Sequence, residues 1–376
     1  MARSVYSSAT LSRRLAVALV GVALGACAGR RPVPITPLFP LSPTWKTLLD
    51  DFVVPPLAAD GRRVYVSSRD GAVRALEIPT GRVLWKVDGV PGRLTAADGT
   101  VLVRGEDGTV WSLQPRSGAV RWRAETGVPG TLPAVLDGQR ALVAGHGLAA
   151  FDLASGRSIW SDTSGEETTA PPVPAGPRLL TGEKDGTLRC RDRATGVTLW
   201  TLRTGGPLLA PPLVDVPRRR AYVGTTDKRI LEVSLDRGHP GWRWTVGADV
   251  ASEGLLLPGQ VLFASHEAVL WSLGRGGSLA WRGALPSRPL SGPLLVQGQV
   301  VVACLENDIV AFSPDTGAIT GTLRTSAEIR TPPLGAGSLI VVGLRDRSVV
   351  AYAPPGVAGT QPTEAPAPVE PPLGGR

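Results

Sequence analysis

Asp70-Gly71-Ala72-Val73-Arg74-Ala75-Leu76-Glu77-Ile78-Pro79-Thr80-Gly81-Arg82-Val83-Leu84-Trp85 is the stretch on which the fold turns. It contains a turn signal, an alternating apolar run, a second turn signal, and a tryptophan four residues after the glycine. The order returns from Asp107 to Trp122, and variants of it recur at about forty-residue spacing from Ser42 to Ala353. A fixed period of that size marks a solenoid or a propeller.

Outward from this core the other parts of the repeat are equally regular. A Pro-rich segment precedes each unit, as in Val54-Pro55-Pro56-Leu57, Ala170-Pro171-Pro172-Val173, Ala210-Pro211-Pro212-Leu213 and Thr331-Pro332-Pro333-Leu334. A β-branched run follows, such as Arg63-Val64-Tyr65-Val66-Ser67. Asp-Gly at Asp70, Asp107 and Asp185 supplies the positive-φ residue of a two-residue hairpin turn. Alternating Val, Ile, Tyr and Leu favour strands, and the mature region has no sustained 3.6 period that would read as helix.

One unit is therefore a four-stranded antiparallel sheet, too small to bury its own faces. Eight units predict an all-β fold: a single eight-bladed β-propeller of four-stranded antiparallel blades. The first unit has only its last strand, around Trp45, and the final unit ends after three, near Tyr352. Trp45 is expected to complete the last blade and close the ring with no free edge. Trp45, Trp85, Trp122, Trp160, Trp200, Trp244 and Trp281 are read as structural wedges between blades. The eighth slot is Gly321, and the blade lacking its ring is expected to open most readily.

The chain has 376 residues and a formal net charge of +8, which falls to +5 without Arg3, Arg13 and Arg14. No basic block with interleaved aromatics is present, which argues against nucleic acid as a partner. Residues 1–26 read as a signal peptide, with a basic start, the apolar run Leu15 to Leu24, and Leu24-Gly25-Ala26 before Cys27. Residues 27–41 read as a tether, 42–353 as the propeller, and 354–376 as a disordered Pro-rich tail. Cys190 and Cys304 lie in different units, at strand positions where siblings carry Ala or Ser, and are expected to be buried free thiols.

No catalytic or metal-ligating set emerges: His146, His239 and His266 are scattered, and the repeated aspartates occupy turns. Arg189, Arg191 and Arg193 alternate along one strand, with Arg191 in the slot held elsewhere by Leu76, Leu113 or Phe151. They are expected to reach the rim and pair with acids such as Glu183 or Asp192. Arg218-Arg219-Arg220 on a loop is a candidate partner-binding run.

The Asp-Gly-x-(Val/Leu)-x-Ala-Leu-x-x-x-(Thr/Ser)-Gly-x-x-x-Trp pattern resembles the quinoprotein-type β-propeller repeat. Two relatives share it, the pyrroloquinoline-quinone dehydrogenases and the BamB-like lipoproteins of the outer-membrane β-barrel assembly machine. The dehydrogenases hold quinone with adjacent cysteines and an acidic calcium shell. This chain has no adjacent cysteines, so neither cofactor nor activity is carried over. Leu-Gly-Ala-Cys resembles a bacterial lipobox, which implies cleavage before Cys27, lipidation of that cysteine, and, with Ala28 next, the outer membrane.

The resemblance implies a non-enzymatic scaffold, a monomer within a complex, whose rim loops bind a protein partner, possibly the barrel-forming subunit. The loop corresponding to the family's docking loop runs from Asp162 through Glu166 and Glu167 to Thr168, without the family's Leu and Arg residues. A divergent quinoprotein enzyme or small-ligand binder, and a surface adhesive or sensory propeller, remain as other readings.

Overall fold

A computed structural model describes residues 38–97 and 99–356. Thirty-two strands, β1 to β32 in chain order, make eight four-stranded antiparallel sheets, and no helix occurs among the described residues. Blade 1 runs β2 (Val53–Ala59), β3 (Arg63–Ser68), β4 (Val73–Glu77), β5 (Val83–Val87) from the inside outward. The burial pattern follows that order: β3 and β4 are almost wholly buried, while β5 alternates between exposed and half-buried. Middle strands are covered on both faces by neighbouring blades, which explains their unbroken Val, Leu and Ala.

Ring closure takes the form the repeat predicts. β1 (Ser42–Leu48) pairs antiparallel with β32 (Ser348–Ala353), Trp45 opposite Ala351. The last sheet thus reads β30 (Leu334–Ala336), β31 (Leu339–Gly343), β32, β1. Lys46 Nζ meets the Asp346 carboxylate at 2.7 Å, and the Leu49 amide donates to Arg347 O across the same seam.

Seven tryptophans lie flat on the glycine of the next blade's turn between third and fourth strands, a Thr-Gly or Ser-Gly in five of the seven. A Cβ built on Gly81 would stand 2.5 Å from the Trp45 ring, and one on Gly156 2.6 Å from Trp122. A side chain there would displace the ring, and these glycines also hold positive φ. The indole Nε1 donates to the main chain of the same turn: Trp45 to Ile78 O (2.6 Å), Trp85 to Pro115 O (2.8 Å), Trp122 to Leu153 O (2.9 Å) and Trp281 to Pro314 O (2.8 Å). Burying such a ring removes about 150–250 Å² from water, an upper bound of about 4–6 kcal/mol.

Three expectations change. In the fifth blade the wedge is Trp242, not Trp244. Trp242 covers Gly277 and donates to Arg275 O at 2.9 Å, whereas Trp244 packs edge-on against Trp271. Both lie on β21 (Pro240–Thr245), but only Trp242 stands four residues after its glycine, Gly238. The Asp-Gly turns are three-residue hairpins rather than two-residue ones. The Ser68 amide donates to Ala72 O while the Gly71 amide returns to Ser68 O, leaving Gly71 as a left-handed bulge at φ 76°. Asp70 accepts from the Ala72 amide, so its carboxylate closes the turn.

The third change concerns Gly321. A Cβ there would come within 2.1–2.6 Å of the Phe39 side chain, so the missing indole is replaced by a ring from the N-terminal segment. Leu38 is fully buried and Leu41 nearly so, in one cluster with Val301, Ile309, Ile340 and Tyr352 of the last two blades. The folded body therefore reaches back to Leu38, before the boundary expected at Ser42. Cys27, the signal segment, most of the tether and the tail from residue 357 lie outside the described residues.

Candidate functional site: a charged cleft between blades 3 and 4

In a four-stranded antiparallel meander, the link between blades and the turn between second and third strands emerge on one face of the disc. The other two turns emerge on the opposite face. β13 (Ser158–Asp162) ends blade 3 and β14 (Val173–Ala175) begins blade 4, so the Asp162–Thr168 loop belongs to the first face, here called the loop face. The Arg218–Arg220 turn between β18 (Leu213–Asp215) and β19 (Arg220–Thr225) belongs to the opposite face. The two groups expected to bind a partner are thus on opposite faces.

The loop face carries a cleft of about 580 Å³ bounded by His146, Asp162, Glu166, Glu167, Lys184 and Arg191. Its floor is β16 (Thr187–Asp192), and the loop doubles back onto β15 (Arg178–Gly182) and the turn after it. The Thr168 amide donates to Gly145 O, the Thr169 amide to Gly182 O and the Lys184 amide to Glu167 O. The loop is therefore tied to both blades through its main chain.

Its charges are organised in pairs. Arg191, only 5% exposed, gives Nη1 to Asp162 at 2.6 Å and to Gly196 O at 3.0 Å. The Ser164 hydroxyl, the Ser164 amide and the Arg191 guanidinium together hold the Asp162 carboxyl at about 2, against partial burial. Arg189 clasps the buried Glu183 with two nitrogens, Nη2 at 2.8 Å, and Lys184 meets Glu167 at 2.7 Å. Glu166 is exposed with no ion pair among the described residues. Arg193 pairs with buried Asp137 of blade 3, while Asp192 caps its own turn at Thr195. Glu183 is thus the expected partner, whereas Asp137 and Asp162 come from the neighbouring blade.

Arg218-Arg219-Arg220 is not a free cationic patch. Arg218 faces Asp215 at 3.4 Å, Arg219 faces Asp236 at 2.6 Å, and Arg220 pairs with Glu232. Asp215 is shared with Arg275 and Asp236 with Arg178, so the acids offset this charge only in part, and exposed pairs of this kind contribute little energy.

Arg104 is a feature that sequence reading did not single out. It is 1% exposed and donates to Leu132 O (2.6 Å), Ala144 O (2.6 Å) and Val128 O (2.7 Å), with no carboxylate paired to it among the described residues. Burial pulls its pKa down to about 10. It stitches blade 2 to the blade 3 main chain. Cys190 and Cys304 are buried and free, and burial pushes both thiols up to about 11.

A second, axial cavity of about 360 Å³ opens among the Pro-rich segments. Its lining includes an unpaired acid, Glu253, which would oppose pyrroloquinoline quinone, itself a carboxylate-bearing cofactor. Among the described residues no three His, Cys, Asp or Glu side chains gather as metal ligands. The residues described do not fit a quinone and its calcium.

A family model described as outer membrane protein assembly factor BamB matches residues 42–148, 144–272 and 266–356. The chain belongs to this family. It is 25% identical over 285 residues to the outer membrane protein assembly factor BamB of Yersinia pestis, covering 68% of this chain and 70% of that one. The BamB of Bordetella pertussis is 24% identical over 319 residues, 75% and 81% of the two chains. The serine/threonine-protein kinase AfsK of Streptomyces griseus is 27% identical over 289 residues, 71% of this chain but only 35% of the kinase. Among solved structures, BamB from Moraxella catarrhalis superimposes with a TM-score of 0.69 at 18% identity, over 85% of this chain and 99% of that one. The computationally designed Ika8 protein gives 0.71 at 17%, over 81% and 97%. A designed protein superimposing as well as a natural one means that shape alone carries fold and not function.

Proposed function

We propose that this chain is a non-enzymatic scaffold of outer-membrane β-barrel protein assembly, tethered through a lipidated Cys27 and binding a protein partner by its loop face. Family membership supports the assembly role. The observation that carries the binding reading is the Asp162–Thr168 loop. Main-chain bonds to two blades hold it firm, yet Glu166 and Glu167 remain at the mouth of a polar cleft. A rigid loop loses little entropy on binding, which favours its use as a docking element.

Chain geometry supports the same arrangement. β1 starts and β32 ends at the face opposite the loop face, since Ser42 pairs with Ala353. A lipid anchor on Cys27 would tether the ring from the end of the chain that closes it. An anchor in the inner leaflet of the outer membrane then gives a periplasmic scaffold. The adhesive or sensory reading requires the protein to be reached by an impermeant reagent on intact cells.

The test is gentle extraction of the tagged full chain and identification of co-purifying proteins. Recovery of barrel-assembly subunits, reduced at least fivefold in the Glu166→Lys/Glu167→Lys double variant, is the expected result. Failure to recover any such subunit would overturn the assembly reading. Undiminished recovery with the double variant would move the contact away from this cleft.

A further inference from the structure

On the face opposite the cleft, turns of blades 4, 5 and 6 meet. The turn from Asp215 to Arg220 in blade 5 lies beside Gly176 of blade 4, where a built Cβ would stand 4.0 Å from Val216. Asp236 and Arg237 follow β20 (Arg229–Ser234) on the same face, and Arg275 follows β24 (Val269–Gly274) of blade 6. Ion pairs cross from blade to blade. Arg178, at the start of β15, reaches Asp236 at 2.9 Å, and Arg275 pairs with Asp215. The turns thus form one continuous surface.

That surface carries more positive charge than its acids offset. Asp215 serves both Arg218 and Arg275, Asp236 serves both Arg178 and Arg219, and Glu232 serves Arg220. Arg237 is exposed and makes no ion pair among the described residues. Six arginines against three carboxylates leave an excess of three positive charges. Arg140 and Arg193 alongside are matched by Asp137 and Asp192 and leave the excess unchanged. The acids are also the recessed partners. The Asp215 side chain is 3% exposed, while those of Arg218 and Arg219 are 58% and 64% exposed. Whatever approaches from solvent meets guanidinium first. At the tip of the turn, between Asp215 and Arg218, stand Val216, 46% exposed, and the exposed Pro217.

We infer that this surface docks on a bilayer of anionic phospholipid, its arginines at the headgroup phosphates and Val216-Pro217 entering the interface between them. Guanidinium groups suit phosphate oxygens in charge and geometry. A basic patch and an acyl anchor together hold a protein at a membrane that a single weak signal would not. The chain ends lie on the same face, since Ser42 pairs with Ala353. Cys27 stands eleven residues before Leu38, at most about 40 Å of extended chain. The choice of a lipid surface therefore rests on the lipidation of Cys27 proposed above. An acidic protein segment would use the charge but leave the apolar tip and the position of the chain ends without a role. Docking by this face turns the cleft away from the bilayer, toward a protein partner.

The full chain is reconstituted on phosphatidylcholine vesicles with and without phosphatidylglycerol, all doped with headgroup spin-labelled lipid as quencher. One sample carries a fluorophore on Pro217→Cys and another on Glu166→Cys at the loop face. With phosphatidylglycerol, strong quenching at Pro217→Cys and little at Glu166→Cys is expected. The difference should vanish without phosphatidylglycerol, and in about 1 M sodium chloride, where the screening length is about 3 Å. Adding Arg218→Ala/Arg219→Ala should lower the docked-to-undocked ratio at least tenfold, at about one order of magnitude or slightly less per arginine. Arg218→Lys/Arg219→Lys should retain most of the docking. Flotation with phosphatidylcholine vesicles reads the anchor alone, so its absence would overturn lipidation while the patch is still read on phosphatidylglycerol vesicles. There, equal quenching of both labels, or undiminished quenching in the double alanine variant, would overturn the docking. Saturable binding of polyglutamate without any quenching at Pro217→Cys would assign the surface to an acidic protein segment and overturn it as well.

Discussion

Two blade junctions solve the same packing problem with opposite materials. Between blades 7 and 8 the repeat has lost its indole at Gly321, and the chain restores the apolar contact with Phe39, Leu38 and Leu41 from outside the repeat. Between blades 3 and 4 the indole is present at Trp160, but the Leu slot beside it holds Arg191. There the apolar cluster shrinks to Leu142, Ala144, Leu148, Ala150 and Leu179, and ion pairs to Asp162 and Asp137 take over. The first junction should respond to loss of volume. The second should respond to loss of charge, and it is also the junction that carries the polar cleft.

The largest effect is expected from Phe39→Ala. A Phe→Ala change in a core costs about 3–5 kcal/mol, and the partial exposure of Phe39 places it near the lower end, about 3 kcal/mol. Urea denaturation measures the loss. Hydrogen exchange should show it concentrated in β28 (Asp308–Phe312) and β29 (Ile319–Arg324). A cost below about 1 kcal/mol would mean that Leu38 and Leu41 alone seal the junction.

Arg191→Ala comes next, at about 2 kcal/mol, because it opens a void and removes the partner of Asp162. Its companion Arg191→Leu restores the residue type of Leu76 and Leu113. Buried pairs replaced by apolar residues of similar size are often neutral or better. The two variants should therefore differ by about 2 kcal/mol in urea unfolding. Equal destabilisation would show that the charge itself, rather than the filled space, holds this junction.

The contrast between the junctions also marks what could be read from residues alone. Period, strand order and the closing role of Trp45 follow from spacing, because every blade must satisfy the same local geometry. Trp242 could have been found by counting four residues from Gly238; the neighbouring Trp244 in Trp-Arg-Trp hid it. Phe39 offered no such signal, since it lies outside the repeat and meets Gly321 only once the ring closes. The turn aspartates showed their structural role, but the three-residue hairpin depends on the left-handed glycine that follows. In the cleft, the loop from Asp162 to Glu167 was legible as a rim element. Its pairing with Arg191 and Lys184 was not, because those contacts join separate blades whose register the sequence does not state.

Acid should separate the two junctions more finely. Asp162 has a folded pKa of about 2, below its ordinary value of 3.8. Its contribution is complete above the unfolded pKa and disappears as pH falls through about 2. The whole shift corresponds to at most about 2 kcal/mol. The Ser164 hydrogen bonds survive in Arg191→Leu, so only the guanidinium's share is removed. That variant should lose about 1 kcal/mol less than the unmodified chain between pH 6 and pH 2, read from urea midpoints at each pH. Phe39→Ala should show the unmodified acid dependence. Identical acid limbs in all three would falsify the assignment of charge to the blade 3 and 4 junction.

The smallest effect lies within that charged junction. The Trp160 ring covers Gly196 as its siblings cover theirs, a built Cβ meeting it at 2.6 Å, yet its Nε1 is buried without an acceptor. By the spacing of the other blades the acceptor would be Arg193 O, three residues before the glycine. That carbonyl instead receives Arg140 Nη1 at 2.7 Å. Arg140→Met removes the competing donor and keeps most of the apolar stem. A lost charged hydrogen bond costs about 1.5–3 kcal/mol when nothing replaces it, and relief of a buried orphan donor returns about 1–3 kcal/mol. The two nearly cancel, so stability should change by less than about 0.5 kcal/mol. The indole N–H of Trp160 should meanwhile gain hydrogen-exchange protection and shift downfield. A clear loss of stability with no change at that indole would show that the ring cannot reach Arg193 O. The orphaned donor would then be a fixed cost of placing arginine where the other blades place leucine.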